Sequence, residues 1–470
     1  MATAACVAGA AALSVACSSN SRTSPLADRV DQESQEAALG VPGDGAWHWY
    51  DSTTSPAVTG MTCLDGSPTG FAVNVPPGGG NNRLLVYLEG GGGCWDSATG
   101  PCTWPHVAKT SYQFTDFQDE AVDMGSTNAI VLPFVWSKPA LGAPACEVAG
   151  NGLGPTGCSG RGIFDRATGT ANNPFASYTF VFVPYCSGDD FEGLNLDTAS
   201  SIAGRTATMA NFSGALDAAT VIGAVKGFMP SPRSIVVAGA SAGGLGAYFH
   251  YATFRFAYPS LAIPITIISD SAVAFATGVP SPSNPGVWNC PAGLCPTGAQ
   301  GYYLSTPESA SAPLQTSYLE DAFEDAWHIS VTAGLYPQVR PVSIAGARGP
   351  IVRQQDIYVA AATAHPAIDQ FGFIMGNDDW ILPTFYDWTT DSMPPNAATA
   401  IADFQTFLAA QGLTNVKTLP ITSTASYMGQ RAWNAQHEHL LDDVSVWTPQ
   451  DEGMGDLLGF LVTTLGIPSD

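Results

Sequence analysis

The chain is poor in charge, and poorest in positive charge: 16 Lys and Arg face 40 Asp and Glu, and charged residues fill only 12% of 470 positions. A formal charge of −24 excludes nucleic acid as a partner, because phosphate binding needs clustered Lys and Arg that are missing here. Beyond the N-terminus no apolar run reaches 18 residues, so no internal membrane span is expected. No Gly-Lys-Ser/Thr phosphate loop occurs, no internal repeat is found, and no ligand cluster completes a metal site. Cofactors and metals are therefore not expected.

What is present is apolar mass. Residues of the hydrophobic class make up 45% of the chain, enough for a large core. Ala4 to Ala16 is small and apolar, and Cys17 is followed by Ser18-Ser19-Asn20-Ser21. This reads as an export signal over residues 1–17, with Cys17 as the lipidated residue of a bacterial lipoprotein. Two features count against lipidation: Arg22 is the first basic residue, and Ser14 stands where leucine is usual. Residues 18–46 read as a polar tether, and 47–470 as one catalytic domain starting near Trp47-His48-Trp49-Tyr50. The expected location is the periplasm, the outer surface or the medium, with membrane contact only through a lipid on Cys17.

Leaving out Cys6 and Cys17, eight cysteines remain, an even number in a chain that looks exported. That favours disulfides over metal sites. Cys94 with Cys102, Cys146 with Cys158, and Cys290 with Cys295 would close short loops, leaving Cys63 and Cys186 as a long-range pair. Spacing does not fix this connectivity.

Several apolar runs are unbroken rather than alternating: Arg83 to Glu89, Ala129 to Phe134, Tyr178 to Pro184, Ile263 to Ile268 and Phe371 to Met375. Strands of that kind are covered on both faces, and the gaps between them are long enough for helices. The expected fold is α/β, a doubly wound, mostly parallel sheet of α/β-hydrolase type with long loop insertions. Pro264 belongs at the start of its strand, since it cannot donate to a ladder. Thr277 to Gln315, rich in Pro, Ser and Gly, reads as a surface insertion.

The stretch from Ser234 to His250 organises the rest. Ile235, Val236 and Val237 make a short buried strand, Gly239-Ala240-Ser241-Ala242-Gly243-Gly244 a sharp turn, and Leu245 to Phe254 a helix-compatible segment. A serine at such an apex needs small neighbours, which is the pattern of a nucleophile elbow. With 50 glycines in the chain, a chance Gly-x-Ser-x-Gly is expected roughly a few tenths of a time. The strand before and the helix after favour Ser241 as nucleophile over an inert turn serine.

A serine hydroxyl needs a base, and the base an orienting acid, in the chain order Ser, Asp or Glu, His. Asp378 follows the strand-like Phe371 to Met375, with Asp379 and Asp387 as rivals. His437 and His439, in Asn434-Ala435-Gln436-His437-Glu438-His439, are the only histidines in the late window. His250 reads as a packed, hydrogen-bonded ring. The glycine run Gly90 to Gly93 follows a buried strand, where backbone N–H groups can approach a developing oxyanion. Gly91 and Gly92, with Ala242, would supply those donors.

Taken together these pieces resemble the pectin acetylesterase/Notum family of α/β-hydrolase carboxylesterases. The segments that carry the likeness are T-C-L-D-G-S-P-T-G-F (62–71), L-V-Y-L-E-G-G-G-G-C-W (85–95), G-I-F-D-R with N-P-F (162–175), V-F-V-P-Y-C-S-G-D (181–189) and G-A-S-A-G-G (239–244). The resemblance implies Ser241 as nucleophile, Gly91, Gly92 and Ala242 as oxyanion donors, Asp378 as acid and His437 as base, with His439 the alternative. It also implies Cys63–Cys186 and Cys94–Cys102 bridges. The chain departs from the family in having glycine where a Trp often sits in the glycine run, and in Ile381 after N-D-D-W. Residues 277–360 match nothing in the family pattern.

The sequence thus leads to an exported serine carboxylesterase acting on short acyl esters, acetyl groups on a polysaccharide or small molecule first among them. A lipid or protein O-deacylase is the second enzymatic reading. A surface lipoprotein that binds without chemistry is the non-enzymatic one.

Overall fold

Four of these apolar runs, together with the Ile235–Val237 stretch, form the parallel centre of one sheet in the computed structural model, and Ala129 to Phe134 lies outside the described residues. The structure describes residues 24–36, 39–52, 58–93, 162–166, 172–196, 211–272, 354–377, 397–421 and 456–468, with short pieces between them that include Asp379 and Leu440. The strands of the sheet are β1 (Trp47–Asp51), β2 (Gly70–Asn74), β3 (Leu84–Leu88), β4 (Thr179–Val183), β5 (Ile235–Ala240), β6 (Ile265–Asp270), β7 (Gln370–Gly376) and β8 (Val416–Ile421). Their spatial order is β1-β2-β4-β3-β5-β6-β7-β8. β1 and β2 run antiparallel at one edge, and every pair from β4 to β8 is parallel. This is the α/β-hydrolase sheet.

The unbroken runs follow from burial on both faces. Along β3, Leu84, Val86 and Leu88 pack into one core with Val221 and Ile222, whereas Leu85 and Tyr87 point into a second core with Phe164 and Phe180. Successive side chains of a strand take opposite faces, so a strand between two cores must be apolar at every position. The first core carries the helices α2 (Gly214–Phe228), α3 (Ala242–Phe249), α4 (Tyr251–Ala257), α5 (Gln354–Ala364) and α6 (Ala397–Ala410), which bring buried residues such as Ala218, Leu245, Phe254, Ile357 and Phe404. Pro264 stands just before β6, as its missing donor requires, and its carbonyl accepts from the Ile235 N–H at 3.0 Å.

Within the stretch expected as a polar tether, residues 18–46, the structure instead folds Pro25–Glu36 into a helix, α1. Leu26, Ala27 and Val30 are buried against α2, and Arg29 Nε donates to Thr220 Oγ1 at 2.7 Å. Three apolar residues on one helical stripe suffice to dock the helix, each larger one contributing about 1.5–3 kcal/mol by burial. The helix-compatible segment after the elbow also differs from expectation, being broken at His250 into α3 and α4.

A buried ion pair ties α4 to the turn before β7. Arg255 donates through Nε and Nη2 to Asp369, which also accepts from Tyr251 Oη at 2.7 Å and from the Ile265 N–H at 2.9 Å. With four donors on one carboxylate, the charge is compensated and fixes the start of β6 relative to α4. Among the described residues no helix is long and apolar enough to cross a membrane.

Candidate active site

β5 delivers Ser241 to the carboxyl edge of the sheet. Its backbone sits at φ 52°, ψ −124°, a conformation that costs an ordinary residue about 1–3 kcal/mol. Several contacts hold it there. The Ser241 N–H donates to the Asp270 carbonyl at 2.9 Å, and its own carbonyl accepts from Gly244 at 2.9 Å and Leu245 at 3.3 Å. The side chain is half-buried, between Ala240 and Ala242, which are both buried.

Small residues around this turn are demanded by contact. A Cβ on Gly239 would lie 2.2 Å from the Gly243 carbonyl oxygen, and one on Gly243 only 2.0 Å from the Leu88 carbonyl oxygen and 2.7 Å from that of Glu89. The second contact is the more telling. It presses the first turn of α3 against the end of β3, so that the glycine run leaving β3 starts beside the elbow. Gly92 adopts φ 82°, which suits glycine alone, and Gly91 and Gly92 are both half-buried. Ala242 opens α3, where backbone N–H groups have no acceptor within the helix. Ser241, Ala242 and the Gly91–Gly92 backbone are thus brought to one end of the sheet.

Asp378, His437 and His439 lie outside the described residues. Next to Asp378, the Asn377 N–H donates to the Ile421 carbonyl at 2.7 Å, and the rival Asp379 is buried. A residue that sequence reasoning missed is Asp270, the last of β6. Its fully buried carboxylate accepts from the Leu440 N–H through Oδ2 at 2.6 Å and from Ser271 Oγ through Oδ1 at 3.0 Å. Leu440 directly follows His437-Glu438-His439 in the chain. Asp270 therefore touches the elbow with its carbonyl and the C-terminal segment with its carboxylate. The one available signal was its position at the carboxyl end of a strand flanking β5.

Behind the glycine run lies a buried acidic knot. Asp189 accepts from Ser187 Oγ at 2.6 Å and from the N–H groups of Gly214 and Phe191 at 2.8 and 3.2 Å, capping α2 from outside the helix. Asp190, Glu192 and Asp217 are equally buried, and Glu192 accepts from the Gln354 amide. Burial pushes the Asp189 carboxyl up to about 6 and the other three well above the usual carboxylate range. His250 is fully buried and pushed down to about 4, mainly by burial. Its Nε2 donates to the Phe191 carbonyl at 2.7 Å, the packed, hydrogen-bonded role expected of it. Among the described residues no group of three or more His, Cys, Asp and Glu could hold a metal ion.

The Cys63–Cys186 disulfide is formed, and the Leu64 N–H donates to the Cys186 carbonyl at 2.8 Å beside it. Cys94, Cys102, Cys146, Cys158, Cys290 and Cys295 lie outside the described residues. Two of the motif pieces prove structural. Asn173 of N-P-F donates to the carbonyls of Ile163 and Asp165 at 3.1 and 2.6 Å, and Arg166 of G-I-F-D-R donates to the carbonyls of Asn74 and Tyr178 at 3.1 and 2.7 Å.

Comparison with known proteins bears on this arrangement. No curated protein sequence matches the chain. A solved structure of Notum, the Wnt deacylase from Drosophila, aligns with a TM-score of 0.40 and 16% identity, over 77% of this chain and 80% of that one. The pectinacetylesterase family model matches residues 156–277, which include the acidic knot, α2, the elbow and β6. The resemblance read from the sequence is therefore borne out, and the stretch matched by the pectinacetylesterase model includes Ser241.

Proposed function

We propose that this protein is an exported serine carboxylesterase that removes short acyl groups, acetyl first among them, from a polysaccharide or a small alcohol. The observation that carries the reading is the Ser241 backbone at positive φ, at a strand-to-helix apex pressed against the start of a glycine run. An inert turn serine has no need of that strain, whereas a nucleophile must project beyond the sheet to meet substrate.

In this reading Ser241 Oγ attacks the acyl carbon while His437, or His439, takes its proton, and Asp378 orients the imidazole. Negative charge develops on the carbonyl oxygen and is met by the N–H groups of Ala242, Gly91 and Gly92. One such donor is typically worth about 10²–10³ in rate. The tetrahedral species collapses, the alcohol leaves with the proton from the histidine, and water then hydrolyses the acyl-serine by the same steps in reverse. No cofactor enters the scheme.

The test is hydrolysis of p-nitrophenyl esters from acetate to palmitate by the wild type and Ser241→Ala. Turnover that peaks at acetate or butyrate and disappears in Ser241→Ala is the expected result. Preference for long chains would shift the assignment to a lipid or protein O-deacylase. Equal turnover by the two proteins would remove Ser241 from the mechanism, and no turnover by either would favour the binding lipoprotein.

A further inference from the structure

The Y-C-S-G-D motif is not absorbed by the scheme above, yet Tyr185 stands between the glycine run and the acidic knot. A Cβ on Gly91 would lie 2.6 Å from Tyr185 Cδ1 and 3.3 Å from Cε1, so one edge of the ring occupies the place a side chain on Gly91 would take. The Tyr185 N–H donates to Glu89 Oε2 at 2.9 Å, fastening the same loop one residue before the glycines begin. At its far end the hydroxyl donates to Asp190 Oδ1 at 3.2 Å and accepts from the Asp190 N–H at 2.9 Å. The ring also meets Phe191 with centroids 5.0 Å apart.

The other side of the knot is fixed to the elbow helix. Asp190 and Phe191 are both held at positive φ, at 53° and 61°. The Phe191 carbonyl takes the His250 hydrogen bond at the end of α3. Phe191 lies so close to α3 that a Cβ on Gly246 would come within 2.8 Å of the Phe191 Cβ. The disulfide at Cys186 pins the next residue. A continuous path of contacts therefore runs from Gly91 through Tyr185, Asp190 and Phe191 to α3, the helix that Ser241 introduces.

We infer that Tyr185 is a positioning residue for the oxyanion loop: its ring sets the Gly91 backbone at a fixed place relative to Ser241, and its hydroxyl and N–H fix the ring. The inference rests on the proposed role of Gly91. A glycine-rich loop has few side chains to hold it, and a donor displaced by about 1 Å loses much of its effect on the transition state. The buttress supplies from outside the rigidity that the glycines lack.

The role separates the ring from the hydroxyl, and the variants follow from that. Tyr185→Phe keeps the ring on Gly91, and Tyr185→Leu and Tyr185→Ala remove it. Expected for Leu and Ala is a fall in kcat of about 10²-fold with KM within about threefold, since ground-state binding does not use the oxyanion donors. Tyr185→Phe is expected to stay within about fivefold of wild-type kcat. Full kcat in the Leu variant, or a loss in Phe equal to that in Leu, overturns the inference.

Hydrogen exchange of the free protein gives a reading that does not depend on catalysis. The segment 85–93 should lose protection in Tyr185→Leu while 235–249 keeps its own, and unchanged or uniformly lowered protection overturns the inference. If Ser241→Ala shows that the esterase reading fails, the exchange result alone still decides whether Tyr185 holds the glycine loop.

Discussion

Replacing Cys63 and Cys186 together by alanine tests the long-range bridge without touching the other cysteines. The two residues are 123 apart in the chain and both are buried. In the chain-entropy account a closed loop of that length lowers the entropy of the unfolded chain by an amount worth about 5 kcal/mol at 25 °C. Loss of two buried sulfur atoms adds a smaller packing penalty in the same direction. The assay is urea unfolding of both proteins, followed by fluorescence and extrapolated to water. The variant should lose at least about 5 kcal/mol, and its dependence on urea should steepen, because an uncrosslinked denatured chain exposes more surface. Substitution is preferred to reductant, which would also act on any other bridge. A loss below about 1 kcal/mol with an unchanged slope would refute the reasoning and move the anchor of this region to the hydrogen bonds around Leu64 and Asp189.

Two further perturbations probe the interior around the site. Asp189 holds its proton more tightly folded, at about 6, than unfolded, near 3.8, because burial disfavours its charge. Its contribution is then fully present below about pH 4 and is lost as pH rises to about 6, a change of about 3 kcal/mol. Asp189→Asn should flatten that part of the stability profile measured by denaturant midpoints from pH 4 to 7, and identical profiles would disprove it. Asp270→Ala removes the acceptor for the Leu440 N–H and should cost at least about tenfold in kcat on an acetate ester, whereas Asp270→Asn keeps an acceptor and most of the activity. Wild-type turnover in the alanine variant would dissociate Asp270 from the C-terminal segment.

The centre of the sheet was legible because two-sided burial leaves a plain mark, runs such as L-L-V-Y-L and T-F-V-F-V with no polar interruption. The elbow was legible for a related reason: Gly239 and Gly243 are forced by backbone contact, and contact of that kind tolerates no substitute. β8 was not expected. Its sequence, V-K-T-L-P-I, carries Lys417 and Pro420, which an edge strand accepts and a central one does not. α1 was hidden by its polar majority, since only Leu26, Ala27 and Val30 mark the docking stripe. The acidic knot escaped notice because carboxylates in a chain of charge −24 read as surface. Their burial depends on backbone donors at Gly214, Phe191 and Thr62, which meet them only once the loops have closed. Tyr185 was visible as part of a motif, but its purpose needed the Gly91 contact.

The docking of α1 fixes a length scale for the molecule's surroundings. Seven residues, 18–24, separate Cys17 from Pro25, where the packed helix begins. A fully extended peptide spans at most about 3.3–3.6 Å per residue, so the steps from Cys17 to Pro25 reach no further than about 29 Å. Were Cys17 to carry a lipid, the body of the protein would be moored within that height of the bilayer, where the full 18–46 tether would have let it roam about four times as far. Its working volume would then be a thin layer over the membrane surface.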